Sequence, residues 1–388
     1  MNVVFFVVGA LTLAGGIGVW SLGNVFGRSN TTRENMRLGA TILFAVATMA
    51  LVAGWLLTGT GVDRGEALKT GGLAGGAVVA LYALWLNDRR RRVDEERKGL
   101  EKARQDLESE RAEHDRKRAA DERFLRAVEL LGADADQVRV GALHALAGLA
   151  RGRPEYTQDV LDVICSYLRR PFDHYRHAAR RGETTQGMDR AEADRWLQVR
   201  LTAQRLIADL LPDADSPDPK EYDLDLHGAT LEYFDVSGKV IGQLRARELN
   251  LYESNSFHHC EFRKHAWFTG SRSWGRLYAH DTTFHQKSWF SRFTAHDFVD
   301  FANTAFHGDT KFASSTWDDG VSFRDAVFDR NVDFTEATFS GDLDLRVSGD
   351  GLTGRTIGMT VSLHHRNHLP PGWRVDTSRD EERGLVRS

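Results

Sequence analysis

The chain has few cysteines, few prolines and little net charge. Two cysteines, Cys165 and Cys260, in 388 residues cannot build a disulfide framework, which excludes a small disulfide-stapled module. Unpaired thiols also suit a reducing compartment. A formal charge of −4 argues against a globally basic nucleic-acid binder. The mean hydropathy of −0.41 is that of an ordinary soluble protein of two or three domains. An apolar content of 41% is enough to build cores, so the chain is not disordered throughout. None of the seven prolines precedes Pro154, and none lies between Lys220 and Leu369. Proline breaks helices and sheet ladders, so the first stretch permits unbroken helices and the second a continuous ladder. Pro212, Pro217 and Pro219 mark a linker, and Pro370-Pro371 opens a polar tail. Boundaries fall near residues 87, 132, 212 and 366.

The averages conceal a mosaic. Asn2 to Trp20 and Leu38 to Leu57 are apolar and uncharged, and Gly71 to Leu86 reaches a similar length once Ala67 and Lys69 are included. About twenty apolar residues cross a bilayer core, so three transmembrane helices are expected, at about 2–23, 38–57 and 67–86 within an anchor of residues 1–87. Trp20, Trp55 and Trp85 stand near the helix ends, where amphipathic rings favour the interface. Arg28, Arg33 and Arg37 follow the first helix and Arg89 to Arg92 the third, against only Arg64 and Lys69 in the intervening loop. The positive-inside rule then puts the N-terminus outside and the C-terminal region in the cytoplasm. The first segment has no basic residues at its start, unlike a cleaved signal peptide. In GGLAGG, Gly71/Gly75 and Gly72/Gly76 have the spacing that lets helices approach closely, for packing within the chain rather than a dimer.

Residues 88–131 are mostly charged, with acid-before-base pairs such as Asp94/Lys98, Glu113/Lys117 and Glu122/Arg126 at i,i+4. This stretch reads as one helix on the order of 60 Å long. Val93, Leu100 and Leu107 recur every seven residues before His114 ends the series, so a solvated spacer is favoured over a coiled-coil seam. Residues 132–211 form a small helical domain with helices at Gln137–Ala150, Thr157–Leu168 and Met188–Leu211. The first looks like a helix of a HEAT or armadillo repeat, of which there is only one copy. Pro171 to Gly187 reads as a loop, and its His174 and His177 as solvated. Residues 212–224 are a linker.

The last third repeats. Phe290, Phe301, Phe312, Phe323 and Phe334 recur every eleven residues, continued by Leu345. Phe284, Phe306, Trp317, Phe328 and Phe339 lie on a second eleven-residue grid, with Ala295 in one slot. The block VDFANTAFHGD returns as TKFASSTWDDG, VSFRDAVFDRN and VDFTEATFSGD. A small or β-branched residue stands two positions before each aromatic, on the same face of an extended segment, while Gly, Asp, Asn and Ser turn the chain. Such a chain coils into a β-helix filled by stacked aromatics, with Phe284, Phe290, Phe301, Phe306, Phe312, Trp317, Phe323, Phe328, Phe334 and Phe339 as its structural interior. The stretch Ser271 to Leu277 is irregular, and a bulge or loop is expected there.

These blocks resemble the pentapeptide-repeat family. The Phe-centred variant with alternating five- and six-residue steps resembles membrane-tethered pentapeptide-repeat proteins of actinomycete-type bacteria. The resemblance implies a right-handed quadrilateral β-helix over residues 225–350, about 22 residues per coil, with coils about 4.8 Å apart. A terminal cap and polar tail follow at 351–388. Some members are acidic rods that mimic DNA and bind a topoisomerase. Here Arg263, Lys264, Arg292, Lys311, Arg324 and Arg330 interrupt the acids.

The rod is rich in histidine. His285, His307 and Asp329 should align on one face and His296 and Asp318 on another, as solvated side chains rather than metal ligands. His258-His259-Cys260 does not have zinc spacing. No phosphate loop, HExxH or nucleophile elbow occurs in the sequence. No catalytic, cofactor-binding or metal residue is assigned. The resulting expectation is a multi-pass protein of the bacterial inner membrane. It would be a non-catalytic scaffold that presents a cytoplasmic β-helix to a protein partner, without direct contact to nucleic acid. The alternatives are a DNA-mimicking topoisomerase regulator and an unrecognised enzyme or metal-binding protein. Self-association and the partner's identity stay open.

Overall fold

A computed structural model describes residues 2–26, 30–58, 64–348, 352–378, 380 and 382–387. Arg28, the connection 59–63 and residues 349–351, where the solenoid was expected to end, lie outside the described residues. The chain divides into two units, residues 1–115 and 116–388.

The first unit contains α1 (Asn2–Phe26), α2 (Asn30–Leu56) and the start of α3 (Arg64–Leu131). Each carries a stretch long and apolar enough to cross a membrane: Val4–Leu22, Asn35–Leu56 and Lys69–Arg91. The expected boundary at 87 marks a change of chemistry only, because α3 continues through it. Neither proline nor glycine occurs between Gly76 and Gly99, so nothing in the backbone stops the helix. Gly71 and Gly75 lie against α2, where an added Cβ would come 2.6 Å from the Met49 carbonyl oxygen and 2.8 Å from that of Ala45. Around Gly72 and Gly76 there is nothing within 4 Å. The two glycine pairs therefore differ, and one serves packing within the chain. Leu100 and Leu107 are exposed. In the charged stretch Glu122 pairs with Arg118 at 3.3 Å and Arg126 with Glu129 at 2.7 Å, in place of the expected Glu122/Arg126 pair.

In the second unit, the end of α3 packs with α4 (Asp136–Gly152), α5 (Thr157–Leu168) and α7 (Arg190–Leu210). The apolar stripes foreseen on these helices are buried at Leu143, Leu146, Val160, Leu161, Ile164, Leu206 and Ile207. The expected loop at 171–187 contains a short helix, α6 (Tyr175–Arg180). Its neighbour His174 caps it by accepting a hydrogen bond from the Arg176 N–H. These helices close the first end of a β-solenoid, and one hydrophobic core runs from Ala120 to Val386.

The solenoid has four faces of parallel two- or three-residue strands. The first begins at Leu224–Asp225, the second at Thr230–Glu232, the third at Asn255–Ser256 and the fourth at Val240–Ile241. The first coil advances 20 residues, pairing Leu224 with Leu244. Later coils advance 22, as in Ser288 with Thr310, until the last step on the third face, Leu343 with Asn367, advances 24. The two extra residues enter as six-residue steps. A corner residue recurs in each half-coil with positive φ, between 55° and 59° at His259, Asp281, Arg292, Asn303, Ser314, Asp325 and Glu336 and 72° at Gly270. The interior forms columns: Phe268, Phe290, Phe312 and Phe334 stack with centroids 4.8 to 5.2 Å apart, and Phe262, Phe284, Phe306 and Phe328 at 4.7 to 5.1 Å. Nine of the ten expected interior aromatics are buried. Phe328 is half-buried, because its strand is the last in its sheet.

Three further expectations change. Ser271 to Leu277 forms no bulge; Arg272 and Ser273 stay in register with Thr294 and Ala295. The register holds because Ser271 and Ser273 are small and their hydroxyls donate to the carbonyls of Ala246 and Gly275 inside the coil. The linker is bonded into the rod through Val240 N–H to the Pro212 carbonyl and Ala214 N–H to that of Gly238. The polar tail folds back, with Arg383–Arg387 antiparallel to Thr360–Ser362 and Val386 buried.

Candidate functional site

Because each coil repeats the last, outward residues form columns along the rod. Their order decides what the surface can do.

The column on the second face starts inside the helical domain. His177, on α6, is buried with its Nε2 3.0 Å from Glu232 Oε2. Its ring stacks on Tyr252 at 3.7 Å, Tyr252 on Trp274 at 5.9 Å, and Trp274 on His296 at 4.1 Å. His296 Nδ1 ends the series 2.6 Å from Asp318. Arg176 reaches Glu232 at 3.1 Å, and Arg181 donates to the Tyr252 hydroxyl at 2.7 Å. Burial works to raise the Glu232 carboxyl, but the His177 hydrogen bond and the Arg176 charge outweigh it and hold the carboxyl below its ordinary range. Burial lowers His174, against the opposing hydrogen bond to Asp194. Arg200, on α7, donates to the carbonyls of Leu168 and Thr230, and burial depresses it to about 10. His174 and His177, expected to be solvated, are instead buried and help to join the helices to the first coils.

The first face carries Asp225, Arg245, Trp267, Trp289, Lys311, Asp333 and Arg355 in one register. Trp267 and Trp289 are neighbours at 6.2 Å. Arg247 lies over the first ring at 5.1 Å and Lys311 over the second at 5.2 Å, within cation–π range. Neither indole N–H has a hydrogen-bond partner. This pair escapes the sequence analysis, which followed aromatics at interior positions and, among outward residues, only histidines and charges. Its signal is the 22-residue spacing of the two tryptophans.

The fourth face bears His285 and His307 with rings 5.7 Å apart, and His307 lies 2.6 Å from Asp329. That alignment and the His296–Asp318 pair follow the expected spacing of one 22-residue coil, or two repeats. On the third face and its corner, His258 stacks on His280 at 4.9 Å, and His259 and His280 lie beside Asp281. The His280 hydrogen bond, with Asn303 also contributing, lowers the Asp281 carboxyl. Cys260 next to them is buried, and burial pushes its thiol up to about 12, as it does for Cys165. Both thiols are therefore poor nucleophiles.

Acids and bases alternate along the rod. Arg263 pairs with Glu261, Arg276 with Asp297 and Arg346 with Asp344, and the first-face column changes sign repeatedly.

Residues 297–348 match the family model described as pentapeptide repeats (9 copies). The matched residues lie within the four-faced solenoid, and this region is a pentapeptide-repeat β-helix. No curated protein and no solved structure matches the chain.

Proposed function

We propose that the protein is a membrane-tethered, non-catalytic scaffold of the bacterial inner membrane that presents its β-helix to a protein partner in the cytoplasm. The three apolar helices supply the tether, and the basic residues after the first and third set the orientation. The surface we assign to the partner is the first face, around Trp267 and Trp289. The carrying observation is that two half-buried indoles sit side by side on a rigid sheet, each covered by one cation. Tryptophan and arginine dominate the energetics of protein interfaces, and a solenoid offers them on an extended face held by neighbouring coils. The alternating charges weigh against DNA mimicry, which needs a continuous acidic face.

In-cell crosslinking from a photoreactive residue at Lys311 tests the reading. A discrete crosslinked protein, lost in Trp289→Ala while the variant still accumulates in the membrane, is the expected result. Crosslinking unaffected by Trp267→Ala and Trp289→Ala would remove the first face from consideration. A reporter fused after Ser388 that is active only outside the cytoplasm would overturn the orientation.

A further inference from the structure

We propose that His259, His280 and Asp281 form a binding site for a divalent transition-metal ion of the zinc class. The assignment is independent of any protein partner.

The site is made by the coil geometry. His259 and Asp281 occupy the same corner position in consecutive coils, and both have φ 56°. The shared backbone conformation aims both side chains from one corner. His280 precedes Asp281 and places its ring edge-on to His259, centroids 5.6 Å apart at 83°. Donor atoms from the three residues lie within 4.8 Å of one another. His280 Nδ1 is 2.7 Å and His259 Nε2 3.9 Å from Asp281 Oδ2. Four-coordinate zinc, with bonds of about 2.0 to 2.1 Å, separates its ligand atoms by about 3.3 Å. The separations of 2.7 and 3.9 Å lie on either side of that spacing, and His259 is exposed, so an ion can enter from solvent.

The chemistry of the donors selects the ion. Two imidazoles and one carboxylate suit zinc, cobalt or nickel, whereas calcium and magnesium prefer an all-oxygen set. The residues around the site restrict its movement: His258 stacks flat on His280 at 16° and is itself hydrogen-bonded to Ser256. Three protein ligands leave at least one coordination position for water or an incoming donor. A bound ion would also tie two coils together across their outer corner. The spacing behind it, His259 to Asp281, is that of one 22-residue coil, so adjacency in the sequence does not show it.

Zinc chloride titrated calorimetrically into chelator-treated full-length protein in detergent reads the stoichiometry and affinity. Cobalt absorption in the visible reads the coordination. One ion per chain is expected, with affinity reduced on the order of tenfold or more in His259→Asn and in His280→Gln. Asparagine is chosen at position 259 because it tolerates positive φ. His307→Ala, on another face, should bind as the native protein does. Melting curves without metal check that each variant folds, and Asp281→Asn gives a third, isosteric reading. The assignment is overturned if the native chain binds no zinc, if the ligand variants bind it undiminished, or if His307→Ala weakens binding equally.

Discussion

His177 lies flat against Tyr252, with ring centroids 3.7 Å apart and 14° between the planes, while its Nε2 meets the buried carboxylate of Glu232. One imidazole thus joins α6 to two successive coils of the solenoid. His177→Ala removes the stack and one of the two side-chain partners of Glu232, leaving Arg176. The expected loss is about 2 to 4 kcal/mol, read from chemical denaturation. Tyr252→Phe keeps the stack and loses only the hydrogen bond from Arg181, so it should cost about 1 kcal/mol. Equal effects of the two variants would show that the stack contributes nothing.

The same junction makes stability depend on pH. Burial lowers His174 from its ordinary 6.5, so below that pH the unfolded chain takes up the proton more readily than the folded one. Stability is therefore full above about 6.5 and falls as the pH drops toward the lowered folded value. Glu232 is held below its ordinary 4.5; its contribution is present above that value and is lost as the pH falls further. The denaturation midpoint should decline in two stages, and His174→Gln should flatten the upper one. A midpoint that rises on acidification from neutrality would contradict the assignment.

Within the apolar helices, two adjacent glycines should differ in their tolerance of a side chain. In Gly71→Leu the first added carbon already meets the Met49 carbonyl at 2.6 Å, so α3 must move away from α2. Gly72→Leu enters open space. The first variant should lower the melting temperature in detergent and the second should leave it nearly unchanged. Reversal of that order would mean that the other glycine pair holds the helices together.

What could be read from the chain depended on whether the cause lay near in sequence. Apolar runs and the eleven-residue aromatic grid are local and repeated, so the membrane-length helices and the solenoid were both legible. His177 was not, because its burial depends on Glu232 and Tyr252, 55 or more residues away, and His174 was not, because it is held by Asp194 of α7 and packs on Phe172 and His177. Trp267 and Trp289 point outward, and an interior pattern says nothing about them. Ser271 and Ser273 interrupt the apolar repeat, and the stretch therefore reads as irregular. Their hydroxyls instead satisfy carbonyls within the coil, which polarity, rather than volume, would have indicated.

Phe293 shows how the interior shares its volume. On the second face the inward pairs two residues apart are Ser315 and Trp317, then Ala337 and Phe339, small before large. In the coil before them the order is reversed, with Phe293 before Ala295, and all six side chains are buried. The Phe293 ring lies 5.5 Å from Trp317 and 5.8 Å from Phe290, in the volume that a large residue at 295 would otherwise fill. Phe293→Ala should therefore cost about 3 to 5 kcal/mol, as should Phe323→Ala in the adjacent column. Ala295→Phe alone overpacks the coil, by about 1 to 3 kcal/mol. Phe293→Ala combined with Ala295→Phe restores the order used in the later coils and should be more stable than Phe293→Ala alone, with a favourable coupling of at least about 1 kcal/mol. A double-mutant cycle by chemical denaturation measures that coupling. Strict additivity would mean that the two positions do not share one cavity and that each coil is packed independently of residue order.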